Sequence, residues 1–412
     1  MLRKPKVGNR KFFYGLLLIC FLFFGTVAIL PEPVQDKVKD VFFGDIPFRI
    51  YHVVAKPVLS SCFFQESKLS ALLDISKFGR PINPNCFIDE EKLKAKIQAG
   101  LPLWARKQIE EDLKKFSNIT KNDLNQYETE NRKLSNMIAR FQIQNKKVVY
   151  KTDSHVPRVY YHPRDVMEFV LAYLAEHEYI RDTDFILALS DFFLPAGKKP
   201  VPIFTFAKDL NIPIERDQIL IPDWQNLGSV VGMRKKIAKA KLLHPWNTKK
   251  NRLFWRGGRV NTSKFREEFV SFSKLHPDLI DAEFLSTYGT VDNKKFIPPE
   301  DHLKYKYLIS IDGYRASWER LVWHLYSNSL VFKEKSSQVQ WFYKGIKPYV
   351  HYVPVTNQNS ILGGIQWAEE NPERVQSIIH DAEKFVENNL SLEDMYHYII
   401  VLLEEYNKKR TS

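Results

Sequence analysis

The sequence predicts an α/β fold, with two Rossmann-like halves facing a cleft behind an N-terminal transmembrane helix and a helical region. Three observations predict it. Apolar, strand-like runs alternate with amphipathic helical stretches from Lys146 to Tyr406, which implies mostly parallel sheets flanked by helices. One run, Phe185-Ile186-Leu187-Ala188-Leu189, is apolar throughout, as a strand buried on both faces requires. Two turns rich in glycine and arginine each follow such a run, where α/β proteins bind anions.

Taken in order, residues 1–11 form a basic tail carrying Arg3, Lys4, Lys6, Arg10 and Lys11. Residues 12–30 contain no charge, which is long enough to cross a bilayer core. The positive-inside rule leaves the tail cytoplasmic and the body on the far side, a single-pass type II signal anchor. A cleaved signal peptide is the rival, but the apolar run is long and lacks a clean small-x-small site before Pro31. In a eukaryote the far side is a Golgi or endoplasmic reticulum lumen. In a bacterium the anchor sits in the inner membrane. Residues 31–145 read as a helical stem or cap, with apolar positions at helical spacing in Glu90–Ile97 and Leu103–Phe116 and a polar helix over Tyr127–Gln144.

Residues 146–244 read as the first α/β domain. Its strands are Lys147–Tyr150, Arg158–Tyr161, Phe185–Leu189, Ile203–Ala207 and Ile219–Trp224. A helix begins at Pro163, and a basic one spans Met233–Leu243. Residues 245–407 read as the second, with strands at Arg252–Trp255, Leu279–Phe284, Tyr307–Ile311, Leu330–Phe332 and Tyr349–Val355. Its helices are Ser263–Leu275, Ser317–Ser327, Pro372–Asn388 and Leu392–Asn407.

The 412 residues, 44% hydrophobic, suffice for two domains with cores. A net charge of +13 suits a phosphate-bearing or membrane partner. No nucleic-acid motif is present, so nucleic acid is not expected as a partner. Cys62 and Cys86 pair in an oxidising compartment, or else stay as two thiols. No CxxC or Cys/His cluster supports structural zinc.

The first glycine turn is Phe254-Trp255-Arg256-Gly257-Gly258-Arg259, and the second runs from Asp312 through Gly313, Tyr314, Arg315, Ala316, Ser317, Trp318 and Glu319 to Arg320. Glycine admits close backbone approach, and arginine grips phosphate with a planar fork. Asp191, just past a buried strand, is the best-placed carboxylate for a general base, with a plain capping role as the alternative. Asp182-Thr183-Asp184 has the spacing of a cation-binding DxD motif, but it precedes its strand and lies at the wrong end.

Over about Asp184 to Asn389 these pieces resemble glycosyltransferase family 90. That family includes Rumi-type protein O-glucosyltransferases, fungal capsule-associated proteins and bacterial lipopolysaccharide-modifying enzymes. The matching pieces are the two turns, Leu189-Ser190-Asp191, Ile221-Pro222-Asp223-Trp224, Leu279–Phe284, Lys304–Leu308, Ser329–Phe332, Trp341-Phe342-Tyr343 and Pro348–Val355. The resemblance implies a GT-B-like fold, a UDP-sugar donor, inversion at the anomeric carbon and no catalytic metal or other cofactor. It implies Asp191 as base, with Arg259 and Arg320 on the diphosphate; Arg256 joins them or holds its loop.

Gly257, Gly313, Ala316 and Ser317 would offer close backbone or hydroxyl contacts. Tyr314, Trp318, Trp255 and Trp224 either stack on uracil or sugar or pack in the core, and Ile221 and Trp224 would line the cleft. Arg315 departs from the pattern, and its turn looks one residue longer. His324 and His351 read as core histidines. The expected function is a membrane-anchored transferase moving glucose, xylose or a similar sugar to a glycan, lipid-linked glycan, lipopolysaccharide or protein hydroxyl. The alternative is a catalytically inactive, membrane-tethered glycan-binding or scaffold protein.

Overall fold

A computed structural model describes residues 83–134, 137–151, 161–189, 201–260, 263–287, 290–291 and 295–411. The apolar run 12–30, Cys20, Cys62 and Asp191 lie outside these residues. Among the described residues no helix is long and apolar enough to cross a membrane. The unit from Phe87 to Ser412 carries everything that follows.

Among the described residues three α-helices lead in: α1 (Glu90–Ala99), α2 (Leu103–Leu113) and α3 (Lys121–Glu130). Thr120 and Asp123 start α3 with a reciprocal capping box, so its first amides are satisfied locally. The stretch that forms the first sheet follows: β1 (Ile138–Gln144), β2 (Lys147–Lys151), helix α4 (Tyr161–Glu176), then β3 (Thr183–Ala188), β4 (Ile203–Thr205), β5 (Lys208–Asp209) and β6 (Ile219–Leu220). Its order is β2-β1-β3-β4-β6, antiparallel at β2-β1-β3 and parallel from β3 onward. Helix α5 (Trp224–Leu243) then begins at Asp223, whose side chain accepts from the Asn226 amide at 2.9 Å.

The stretch that forms the second sheet runs through β7 (Lys250–Gly258), α6 (Lys264–Ser273), β8 (Ile280–Thr287), β9 (Thr290–Val291), α7 (Pro299–His302), β10 (Tyr305–Ser310), α8 (Glu319–Leu325), β11 (Leu330–Glu334), β12 (Gln338–Val339) and β13 (Val353–Val355). Its order is β13-β11-β10-β7-β8-β9, parallel except for the β8–β9 edge. Neither β12 nor β5 belongs to these two sheets; they pair antiparallel with each other as a separate two-stranded ribbon. Three helices close the chain: α9 (Gln358–Glu370), α10 (Pro372–Asn389) and α11 (Leu392–Asn407).

Several readings from the sequence change here. Tyr127–Gln144 is not one polar helix: α3 ends at Glu130, and Ile138–Gln144 is strand β1. Two polar residues of that strand, Arg140 and Gln142, are buried. Arg140 donates from Nε and Nη2 to both carboxylate oxygens of Asp184, at 2.7 and 2.8 Å, and Gln142 donates to the same carboxylate at 3.0 Å. Helix α9 was absent from the sequence reading because Gly363-Gly364 discourages a helix. A Cβ at Gly364 would lie 2.7 Å from the Phe332 ring, so glycine is there to let the helix seat on the sheet.

Helix α11 belongs to the first sheet rather than the second. Tyr396, Tyr398, Leu402 and Tyr406 join the core formed by Leu93, Ile109, Phe185 and Phe204. The Tyr406 hydroxyl donates to the Asp184 carbonyl at 2.9 Å, and Thr183 Oγ1 to Asn407 Oδ1 at 2.7 Å. Helices α1 and α2 share that core, so the predicted cap is integral to the first lobe. A separate core, with Trp255, Ile309, Phe332 and Ile365, underlies the second sheet.

Candidate active site

The two glycine turns lie at the carboxyl ends of the adjacent parallel strands β7 and β10. One side chain ties them together. Arg266 of α6 donates to the carbonyls of Gly258 at 2.8 Å, Ile311 at 3.1 Å and Asp312 at 2.9 Å. A Cβ at Gly313 would fall 2.8 Å from the Arg266 guanidinium, which explains the glycine. Likewise a Cβ at Gly257 would fall 2.4 Å from the buried Trp255 indole.

Around these turns lies a cavity of ≈ 400 Å³, within the range of small-molecule sites. Its wall includes Arg256, Gly313, Tyr314, Ala316, Ser317, Trp318 and Arg320, so the structure brings together seven of the residues singled out from sequence. Gly257, Arg259, Ile221 and Trp224 do not line it. Arg259 is paired with Glu267 at 2.8 Å, and its guanidinium covers the Phe284 ring at 4.7 Å. Ile221 is fully buried, and Trp224 packs against the first core while its neighbour Gln225 reaches the cavity.

The charges of the wall differ in how they are answered. Arg256 donates to Asp281 Oδ1 at 2.7 Å and to the carbonyls of Trp255 and Asp281. Burial pushes the Asp281 carboxyl up, but hydrogen bonds from Tyr305 and Arg256 outweigh this and hold it below its ordinary range. Arg315 is paired with Glu215. Arg266 and Arg320 also line the wall, and among the described residues neither has an ion-pair partner within 4.0 Å. Arg320 makes no side-chain hydrogen bond among those residues; burial lowers its pKa, and Glu319 is the opposing charge. Glu319 is itself pushed up by burial and accepts from Ser229.

His302 is pushed down to about 3, first by burial and then by Arg320. It is therefore neutral, and its Nε2 must carry the proton that faces the Ile297 carbonyl at 3.1 Å. Ser317 is not a helix cap. Its amide donates to Asp312 Oδ1 at 2.9 Å, and its hydroxyl shares a 2.6 Å hydrogen bond with Ser310. Trp318 precedes α8 with φ 46°, an uncommon value for a bulky residue. Tyr314 is 41% exposed at the rim. His324 is a core histidine, whereas His351 is half-buried and accepts from the Lys347 amide at 2.8 Å.

Sequence reasoning missed Arg266, Gln225 and His302. Only Arg266 carried a signal: it follows the Ser263 cap by three residues, on the helix leaving the first turn. The DxD motif is structural, because Asp184 is 5% exposed and held by Arg140 and Gln142. Among the described residues no cluster of three or more His, Cys, Asp or Glu side chains could hold a metal.

A family model for glycosyl transferase family 90 matches residues 104–411. Protein O-glucosyltransferase 1 of Bos taurus is 29% identical over 253 residues, covering 55% of this chain and 62% of that protein. Protein O-glucosyltransferase 2 of Danio rerio is 29% identical over 319 residues, covering 73% and 61%. The O-glucosyltransferase rumi of Drosophila pseudoobscura pseudoobscura is 31% identical over 234 residues, covering 51% and 56%. The chain thus spans roughly six tenths of the length of the curated relatives it matches. Among solved structures, Anabaena HepE in complex with UDP matches with a TM-score of 0.31 and 8% identity, over 50% of this chain and 72% of that one.

Proposed function

Since this chain belongs to glycosyl transferase family 90, we propose that it moves glucose, xylose or a similar sugar from a UDP-sugar to a hydroxyl of a glycan, lipopolysaccharide or protein. The observation that carries this reading is the cavity at the carboxyl ends of β7 and β10. Its wall holds two guanidinium groups, Arg266 and Arg320, without carboxylate partners among the described residues. Unanswered fixed cations favour a ligand that brings negative charge, and a nucleoside diphosphate supplies it. A GT-B-like reading is supported by the way one lobe carries the two glycine turns while the other reaches the cavity through Gln225.

In the reaction the acceptor hydroxyl loses its proton to Asp191 as its oxygen forms a bond to the anomeric carbon. The bond from that carbon to the diphosphate oxygen breaks, and UDP leaves with the electron pair. Inversion follows from attack on the face opposite the leaving group. Arg320 and Arg266 stabilise the charge that grows on the diphosphate, as preorganised cations do in a low-dielectric site. Asp191 is proposed as base because it follows β3 by three residues in the sequence, and parallel strands carry ligand-binding residues just past their carboxyl ends. Metal independence is part of the proposal, since Asp184 of the DxD is already engaged.

Residues 12–30 are proposed to anchor the body as a single-pass type II protein. Cys86 takes part in a disulfide, which favours an oxidising lumen such as the Golgi or endoplasmic reticulum over a bacterial inner membrane facing the cytoplasm. UDP release by the full chain in detergent, over a panel of UDP-sugars with and without chelator, tests the reading. Chelator-resistant release that disappears in Asp191→Asn, with UDP binding kept, is expected. An absence of both release and nucleotide binding overturns it.

A further inference from the structure

The Gly313–Arg320 turn is built on the second sheet, yet the first lobe holds its side chains. Arg315 donates from Nη1 to Glu215 Oε2 at 2.8 Å and from Nη2 to Oε1 at 2.7 Å, and the pair is 9% and 0% exposed. Glu215 lies in a short 3-10 turn, Glu215–Asp217, 100 residues earlier. Its Oε2 also accepts from the Asp209 amide at 2.7 Å, so the carboxylate is fixed by its own lobe. The next residues of the turn are gripped in the same way. Trp318 packs on Phe206 with ring centroids 5.8 Å apart, and Glu319 accepts from Ser229 of α5. Beside them the β5–β12 ribbon, with Gln338 donating to Asp209 at 2.9 Å, fastens the same two lobes.

A buried ion pair contributes little net stability over an apolar pair of similar volume, but a bidentate arginine–carboxylate fork fixes direction. The strained φ of Trp318 persists only where its surroundings over-determine it. Both facts direct attention to orientation of the turn.

We propose that Glu215 is a positioning residue which, through Arg315, sets the Gly313–Arg320 turn from the opposite lobe, so that nucleotide affinity depends on the two lobes being closed together. Opening the cleft separates Glu215 from Arg315 and releases the turn that carries Arg320. This inference rests on the reading that the cavity takes the UDP moiety.

The test is UDP binding by calorimetry to the full chain and to E215Q, R315Q and E215Q/R315Q, with donor KM and kcat where turnover is found. Each single variant is expected to weaken UDP by about tenfold, within the span of ordinary coupling between sites. KM for the donor should rise while kcat at saturation changes little, the mark of lost uniform binding. The double variant should lose no more than either single, because the two side chains act as one unit. Arg140→Met, which unsettles the first sheet away from the cavity, serves as a stability control and should keep the wild-type Kd. If wild-type chain binds UDP and E215Q binds it equally, this inference falls while the functional reading stands. If wild-type chain binds no UDP, both fall. If Arg140→Met loses affinity as much as E215Q, general destabilisation is the cause and the positioning role is refuted.

Discussion

Arg320→Met should make the protein more stable and poorer at binding nucleotide at once. The guanidinium is partly withdrawn from water, has no carboxylate within ion-pair distance among the described residues, and has a lowered pKa. A fully buried, unpaired ion costs several kcal/mol; Arg320 keeps an edge on the cavity, so replacing it with an apolar chain of similar reach should stabilise by about 1 kcal/mol. For a unit of this size that is a rise in Tm of roughly 2 °C. UDP would lose two charge-assisted hydrogen bonds, together worth about 3 kcal/mol, or roughly 150-fold in Kd. The assay is thermal unfolding with and without saturating UDP, followed by calorimetry. A variant that melts lower and binds UDP as tightly as wild type would refute the reasoning, because Arg320 would then be structural.

Other substitutions probe the frame around the site. Gly257→Ala places a Cβ 2.4 Å from the buried Trp255 ring, and overpacking of that kind should cost about 1–3 kcal/mol in a urea titration. An unchanged midpoint would show that the ring can move aside. Asp184→Asn removes one of the two carboxylates on buried Arg140, leaving Glu128 at 2.6 Å, and should destabilise by about 1–3 kcal/mol, with no change in the response of activity to manganese. A manganese requirement that vanished with the substitution would restore the metal-binding reading of the motif. Burial raises Glu334 to about 7, with Asp312 adding to it. The folded state therefore holds a proton that the unfolded chain releases near its ordinary pKa, and stability falls as pH rises from about 4.5 to 7. Glu334→Gln should flatten that fall, so its stability relative to wild type should be higher at pH 8 than at pH 5. Equal differences at both pH values would argue against the shift.

Periodicity made most of the second lobe legible. Its strands are apolar and parallel, so Leu253, Ile309 and Phe332 announce themselves by composition. The turns were legible for a different reason, since glycine and arginine stand out after such runs. What stayed hidden is held by pairs rather than periods. Arg140 and Gln142 look solvent-facing until Asp184, 44 residues away, is seen to answer Arg140. Arg315 read as an irregularity because Glu215, its partner, lies in another lobe. Arg259 looks in the sequence as strong a phosphate ligand as Arg320, but in the fold it is paired with Glu267 and lies outside the cavity wall. One sequence shows residue types, but not which charge is already spoken for.

The return of the last helix to the first sheet carries a consequence for synthesis. Tyr396, Tyr398 and Tyr406 complete a core whose earliest members, Leu93 to Phe204, leave the ribosome long before them. We predict that the early half waits, incompletely packed, until translation ends, and that nascent chains stalled before Leu392 are cut by protease within β1 to β4. Protection of that region in stalled chains would show that the early half closes without the helix. The same dependence makes the extreme C-terminus a poor place for a truncation or a bulky fusion, although it lies far along the chain from the two glycine turns.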